Sequence, residues 1–175
     1  MSLFECKQDP DIESFLQNRA IDFENLSKGR TYLLFDEKML ASENFSPMGY
    51  FTITVSALEF ADSVSIRQRK RLDGFSGKKG NEPIRSIPVY LIGQLGKNSA
   101  YPGTPISGSE LIDYAMSVIR KAHEMVAGNT ILVESKPLSK LETFYKENGF
   151  DFFSSIKSPH DENRMNQYIR VMNNS

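Results

Sequence analysis

A near-continuous apolar strand pattern, a long helical stripe and a second short buried strand constrain this chain more than any other feature. Ile87 to Leu95 is apolar enough to be a strand covered on both faces. Leu111, Ile112, Ala115, Val118, Ile119, Ala122, Met125 and Val126 then recur at helical spacing and stop at Gly128. Thr130 to Glu134 follows as a short buried strand, Ser139 with Glu142 forms a capping-box pattern that opens another helix, and Phe150 to Ile156 reads as a strand. A strand, helix, strand, helix, strand run of this kind requires at least one parallel crossover, which places helices against a sheet.

The remaining elements extend that sheet. Asp9 and Pro10 read as N-cap and first helical residue, with Ile12, Phe15, Leu16, Ala20 and Phe23 on one face, so one helix is expected from Pro10 to about Leu26. Thr31 to Phe35 and Gly49 to Leu58 read as strands joined by a polar connection from Glu37 to Pro47. Glu59 to Ser86 is glycine-containing and basic, and reads as a loop with room for a short helix. Gln167 to Met172 closes the sheet. The expected class is α+β: a mixed, mostly antiparallel central sheet with helices on both faces and one βαβ crossover. At 175 residues, without an internal repeat or linker, a single domain spanning 1–175 is expected.

Composition narrows the function classes. One cysteine, Cys6, excludes an intramolecular disulfide, and the two separated histidines, His123 and His160, argue against a dedicated metal site. No apolar run reaches the length needed to cross a bilayer, and the first ten residues lack the order of a signal peptide, so the cytoplasm is the expected compartment and no membrane partner is expected. A net charge of −1 gives no global attraction to nucleic acid. An RNA partner would need a local patch. Arg67, Arg69, Lys70, Arg71, Lys78, Lys79 and Arg85 stand against only Asp73 and Glu82, and so form a candidate RNA contact.

The segment Phe144-Tyr145-Lys146-Glu147-Asn148-Gly149-Phe150 reads as a helix ended by Asn-Gly with a tyrosine three residues before the break. Together with the order of elements, it resembles the last block of the GNAT acyltransferases, and the resemblance covers essentially the whole chain. It implies acetyl-CoA as cofactor, transfer of an acetyl group to a primary amine by direct attack, and Tyr145 as the general acid that protonates the departing thiolate. The resemblance places the cofactor pyrophosphate on the backbone amides of Tyr101 to Leu111, with Gly103, Thr104, Ser107, Gly108 and Ser109 as candidate contacts. The physical basis is a helix N-terminus, where unpaired N–H groups and the helix dipole favour an anion. Here Ile106 stands where the family has its middle glycine, Pro105 removes a donor, and Ser107 with Glu110 forms a capping box. Leu95, Gly96 and Lys97 align with the strand end that pairs with the pantetheine arm, where Gly96 reads as a place of close backbone approach or as an edge bend.

A phenol with an ordinary pKa of about 10 stays protonated at neutral pH. Glu59, Asp62 and Glu134 are the candidate bases for the amine, and the sequence does not choose among them. The first third also looks like the start of the GNAT toxins of bacterial toxin and antitoxin pairs: Asp11 to Leu16, Thr31 to Asp36, Gly49 to Phe51, and then Ile87 to Leu95. That likeness implies an aminoacyl-tRNA acceptor, although an arginine is usual where Gln94 stands. A small amine acceptor, a homodimer and a catalytically silent GNAT-fold binding module remain open as alternatives.

Overall fold

The computed structural model describes residues 4–41, 45–101, 103, 106–157 and 164–172. Its strands form a six-stranded sheet in the order β1 (Arg30–Leu34), β2 (Gly49–Glu59), β5 (Ser86–Lys97), β6 (Thr130–Ser135), β8 (Arg164–Val171), β7 (Asp151–Lys157). One pair of strands is parallel and the rest are antiparallel, as the crossover requires. A separate two-stranded hairpin joins β3 (Lys78–Lys79) to β4 (Glu82–Pro83). The chain divides into two compact units, and β2 and β5 each contribute residues to both.

The first unit contains residues 1–54 and 92–125. The expected first helix is two: α1 (Pro10–Asn18) and α2 (Ala20–Asn25), broken at Arg19, whose φ of −126° is not helical. No proline or glycine marks the break, and the buried Phe15, Leu16 and Ala20 keep one common face across it. Asp9 caps α1 by accepting from the Asp11 amide. The unit's aromatic core is Phe4, Phe15 and Tyr50, with Phe4 edge-on to Tyr50 at 5.2 Å. The Tyr50 hydroxyl donates to the Ile12 carbonyl at 2.6 Å, which ties α1 to the sheet. The expected polar connection holds a short helix, α3 (Glu37–Ala41).

Helix α5 (Gly108–Val126) buries Leu111, Ile112, Ala115, Met116 and Ile119. The apolar stripe read from the sequence runs further than the burial does: Met125 and Val126 are 84% and 71% exposed. Periodicity reports which face could be buried, and here the covering structure ends a turn or more earlier.

The second unit contains residues 55–91 and 126–175. Its core clusters Leu58, Phe60, Leu72, Ile87, Val89, Leu132 and Ile169. The basic stretch is more ordered than a loop, because it contains α4 (Ile66–Asp73) and the β3–β4 hairpin. Ser65 and Gln68 form a reciprocal capping box at the start of α4, and Gly74 closes it in the left-handed region with φ 82°. Helix α6 (Ser139–Glu147) begins with Leu138 as its N-cap rather than with Ser139. The Glu142 amide already donates to the Leu138 carbonyl, so Ser139 is inside the helix and the expected Ser139 to Glu142 box does not form.

Candidate functional site

Tyr145 is the buried residue of α6, with 9% of its surface exposed. Its ring lies 5.2 Å from Tyr168 of β8 and 6.0 Å from Phe150, centroid to centroid, and Phe144 packs beside it at 5.2 Å. Loss of water around the phenol, reinforced by the neighbouring Tyr168, pushes its pKa up to about 12. Burial therefore keeps the proton on Tyr145 at neutral pH. It does not activate the hydroxyl as a base.

Glu134, one of three candidate bases, has a fixed setting. Its Oε1 accepts from Gln167 Nε2 at 2.8 Å, and Gln167 Oε1 accepts from the Ser154 hydroxyl at 2.6 Å. The chain of three side chains crosses β6, β8 and β7, with Gln167 buried at its centre. Glu59 and Asp62 are both exposed. Among the three carboxylates, Glu134 is thus the one that the fold orients.

At the start of α5 the capping box forms as the sequence predicts. Ser107 N donates to Glu110 Oε2 at 2.7 Å, and Glu110 N donates to Ser107 Oγ at 3.1 Å. The Ser107 backbone and hydroxyl hold the Glu110 carboxyl below the usual carboxylate range. The box uses the amides of Ser107 and Glu110. Those of Gly108 and Ser109 take no part in it, and both residues are at least partly exposed. Gly103 is exposed with φ 80°, and a side-chain carbon there would meet nothing within 4 Å. Tyr101 is 7% exposed, and its hydroxyl is buried without a hydrogen-bond partner among the described residues. Thr104 and Pro105 lie outside the described residues, while Ile106 is buried as an apolar side chain. Gly108 and Ser109 thus lie in the first turn of α5, with the exposed Gly103 ahead of them.

Leu95, Gly96 and Lys97 lie at the end of β5, half-buried, buried and exposed respectively. On the side where a side-chain carbon would stand, Gly96 faces α1. A side-chain carbon on it would fall 2.3 Å from the Ile12 Cγ2 methyl and 3.4 Å from both Phe4 and Tyr50. Its bareness serves the packing of α1. Gly93, on the same strand, is the open position, with nothing within 4 Å.

Of the basic candidates, Arg67, Lys70, Arg71, Lys78, Lys79 and Arg85 are exposed. Arg69 is not available to a partner. It is 4% exposed, its guanidinium donates to the carbonyls of Val64, Ile84 and Ala61, and it lies over the Phe60 ring at 5.3 Å. Sequence counting treats all cations alike, whereas α4 turns the face carrying Arg69 and Leu72 inward.

The residue that sequence reasoning missed is Asn98, directly after β5. Its Oδ1 accepts from the amides of Glu5 and Ala100, and its Nδ2 donates to the Pro47 carbonyl at 2.9 Å. It joins the N-terminal segment and the residues before β2 to the turn that leads toward α5. An asparagine after a strand is a turn signal, but two of its partners, Glu5 and Pro47, are distant in sequence.

No protein-family model matches the chain, and no curated protein matches it in sequence. Solved structures do match. AtaT in complex with acetyl-methionyl-tRNAfMet aligns over 93% of this chain and 84% of its own, at 24% identity and a TM-score of 0.64. The fold is that of the GNAT superfamily. AtaTR bound with AcCoA gives a TM-score of 0.62 at 24% identity, over 93% of this chain and 83% of the other. A KacT variant with one tyrosine changed to phenylalanine gives 0.62 at 20% identity, over 94% and 85%. The GNAT likeness is thus carried by the arrangement of elements, and few residues are shared.

Proposed function

We propose that the chain is an acetyl-CoA-dependent N-acetyltransferase whose acceptor is the α-amine of an aminoacyl-tRNA. The observation that carries this reading is the likeness, over nearly the whole chain, to AtaT solved with acetyl-methionyl-tRNAfMet. The structure of AtaTR with AcCoA supports the cofactor.

Acetyl-CoA, when bound, supplies an activated thioester and a thiol leaving group. The amides of Gly108 and Ser109, with Gly103 open before them, would hold its diphosphate. Tyr145 supplies the proton for the departing sulfur, since its phenol is protonated across the physiological range. An α-amine, with an ordinary pKa of about 8, is already partly neutral at pH 7 and asks little of a base. A lysine amine would need one.

A catalytically silent GNAT-fold module is the second reading. It is favoured by the ionised Glu110 in the first turn of α5, which repels an anion, and by the packing that accounts for Gly96.

Two measurements decide. Isothermal titration with acetyl-CoA should give heat and a thermal shift; neither, at millimolar cofactor, means the silent module. Induced expression in bacteria should arrest growth and yield acetylated aminoacyl-tRNA with the native chain but not with Tyr145→Phe. Equal growth of the two cultures, with no acetylated product, overturns the toxin reading.

A further inference from the structure

Phe75 is 88% exposed, the most exposed large hydrophobic side chain among the described residues. It does not sit on a slack loop. Asp73 Oδ2 accepts from the amides of Phe75 and Ser76 at 3.3 and 2.8 Å, and the Ser76 hydroxyl donates to the Lys78 carbonyl at 2.8 Å. A side-chain carbon on Gly77 would fall 2.3 Å from the Ile66 carbonyl oxygen, so only glycine lets this turn close on the first residue of α4. The Ile84 amide donates to the Gly77 carbonyl, and Arg69 clamps Ala61, Val64 and Ile84 from beneath. The ring is held out into water by a braced turn.

Its surroundings are cationic. Arg67, Lys70 and Arg71 share one face of α4 by their spacing, and Lys78 and Lys79 form β3 directly after the turn. Residues 66–85 hold seven Lys and Arg against two Asp and Glu, while the rest of the chain holds 14 against 20. Of the two carboxylates, Asp73 is occupied by the turn amides. The segment that carries Phe75 therefore has a net charge of +5 (7 − 2) in a chain whose net charge is −1. The ring's neighbours Gly74 and Ser76 offer no apolar surface for a protein pocket to close on.

We infer that the α4 to β4 segment is an RNA-contact surface on which Phe75 is the platform for one unpaired base, with Arg67, Lys70, Arg71, Lys78 and Lys79 on the flanking phosphates. A base has a π face whatever its identity, so such a platform takes single-stranded RNA without reading sequence, while the cations follow its backbone. This deepens the aminoacyl-tRNA reading by assigning the RNA part of that acceptor to named residues.

The test is fluorescence anisotropy of the full chain with three probes: deacylated bulk tRNA, an unpaired RNA oligonucleotide and a blunt RNA duplex. Phe75→Ala is expected to weaken binding to tRNA and the oligonucleotide about tenfold at fixed salt, while Phe75→Trp restores it. The duplex, with no unpaired base to stack, should respond little. Lys78→Ala with Lys79→Ala should lower the slope of log affinity against log salt by about 1.5. Thermal unfolding of each variant controls for folding. Unchanged tRNA and oligonucleotide affinity in Phe75→Ala overturns the inference, as does an equal loss on all three probes. A Phe75 requirement on anionic lipid vesicles, with RNA binding intact, would mean a membrane surface and overturn it too. Titration with acetyl-CoA separates the two proposals: no cofactor binding with intact tRNA binding sinks the enzymatic reading alone, and the reverse sinks this one alone.

Discussion

Glu134 and Tyr145 stand on opposite faces of the sheet. Tyr145 packs on Tyr168, which pairs with Val133, whereas Glu134 pairs with Gln167 one residue along and hydrogen-bonds to it. Successive strand residues point to opposite faces, so β6 and β8 pass between the phenol and the carboxylate. Atoms reacting beside the Tyr145 hydroxyl are therefore out of reach of Glu134, and the carboxylate that the fold orients is not placed to serve as base in the proposed reaction.

On the proposed mechanism Tyr145→Phe should lower kcat about 100-fold or more and leave acetyl-CoA affinity nearly unchanged, because it would remove the proton donor but keep the packed ring. Steady-state kinetics beside titration measures both. Equal loss of binding would mean that the hydroxyl holds ligand and does not transfer a proton.

The same phenol predicts an alkaline weakness. Its folded pKa of about 12 lies above the ordinary 10, so the folded state retains a proton that the unfolded chain gives up. Stability is fully present below pH 10 and declines between 10 and 12, by up to about 1.4 kcal/mol per pH unit. Tyr50, raised further by burial, adds to the same decline. Thermal unfolding between pH 9 and 11 should show a shallower fall in Tyr145→Phe than in the native chain.

Glu134→Gln should change transfer by less than about twofold for a lysine-type amine and an α-amine alike, because the carboxylate lies across the sheet from Tyr145. Comparison of kcat/KM for the two acceptors reads this directly, and a loss of about tenfold or more with the lysine-type amine alone would return Glu134 as the base.

Gly96→Ala should destabilise the fold by about 1–3 kcal/mol, since the added carbon meets the branched Ile12 side chain. Ile12→Ala in the same chain should recover part of that loss. Denaturant unfolding of the two single variants and the double variant gives the coupling, and additive costs would show that the two positions do not touch.

Arg69→Met should cost on the order of 3 kcal/mol or more, because three backbone carbonyls lose their donor. Urea unfolding measures it. Any loss of RNA binding in that variant would follow from the collapse of the platform beneath Phe75.

Sequence periodicity carried the crossover, the sheet class and the position of Tyr145, since each is written in short-range spacing: the α5 stripe, the strand of Ile87 to Leu95, and the Asn148-Gly149 helix end. Family resemblance added roles to residues whose types are ordinary. Neither could tell Arg69 from Arg67, because which face of α4 turns inward depends on Phe60 and on carbonyls from two other segments. The bareness of Gly96 has the same character, for the atom that demands it belongs to Ile12, far away in sequence.

By itself the sequence determined the order of elements and the chemistry on offer: a protonatable phenol near a helix end, a capping box, a cluster of cations. Only tertiary structure decided which of these face water, which are consumed by carbonyls, and which side of the sheet each side chain takes. Local patterning is set by bonds within one turn or one strand, whereas exposure and hydrogen-bond partnership are set by residues that meet only once the chain has folded.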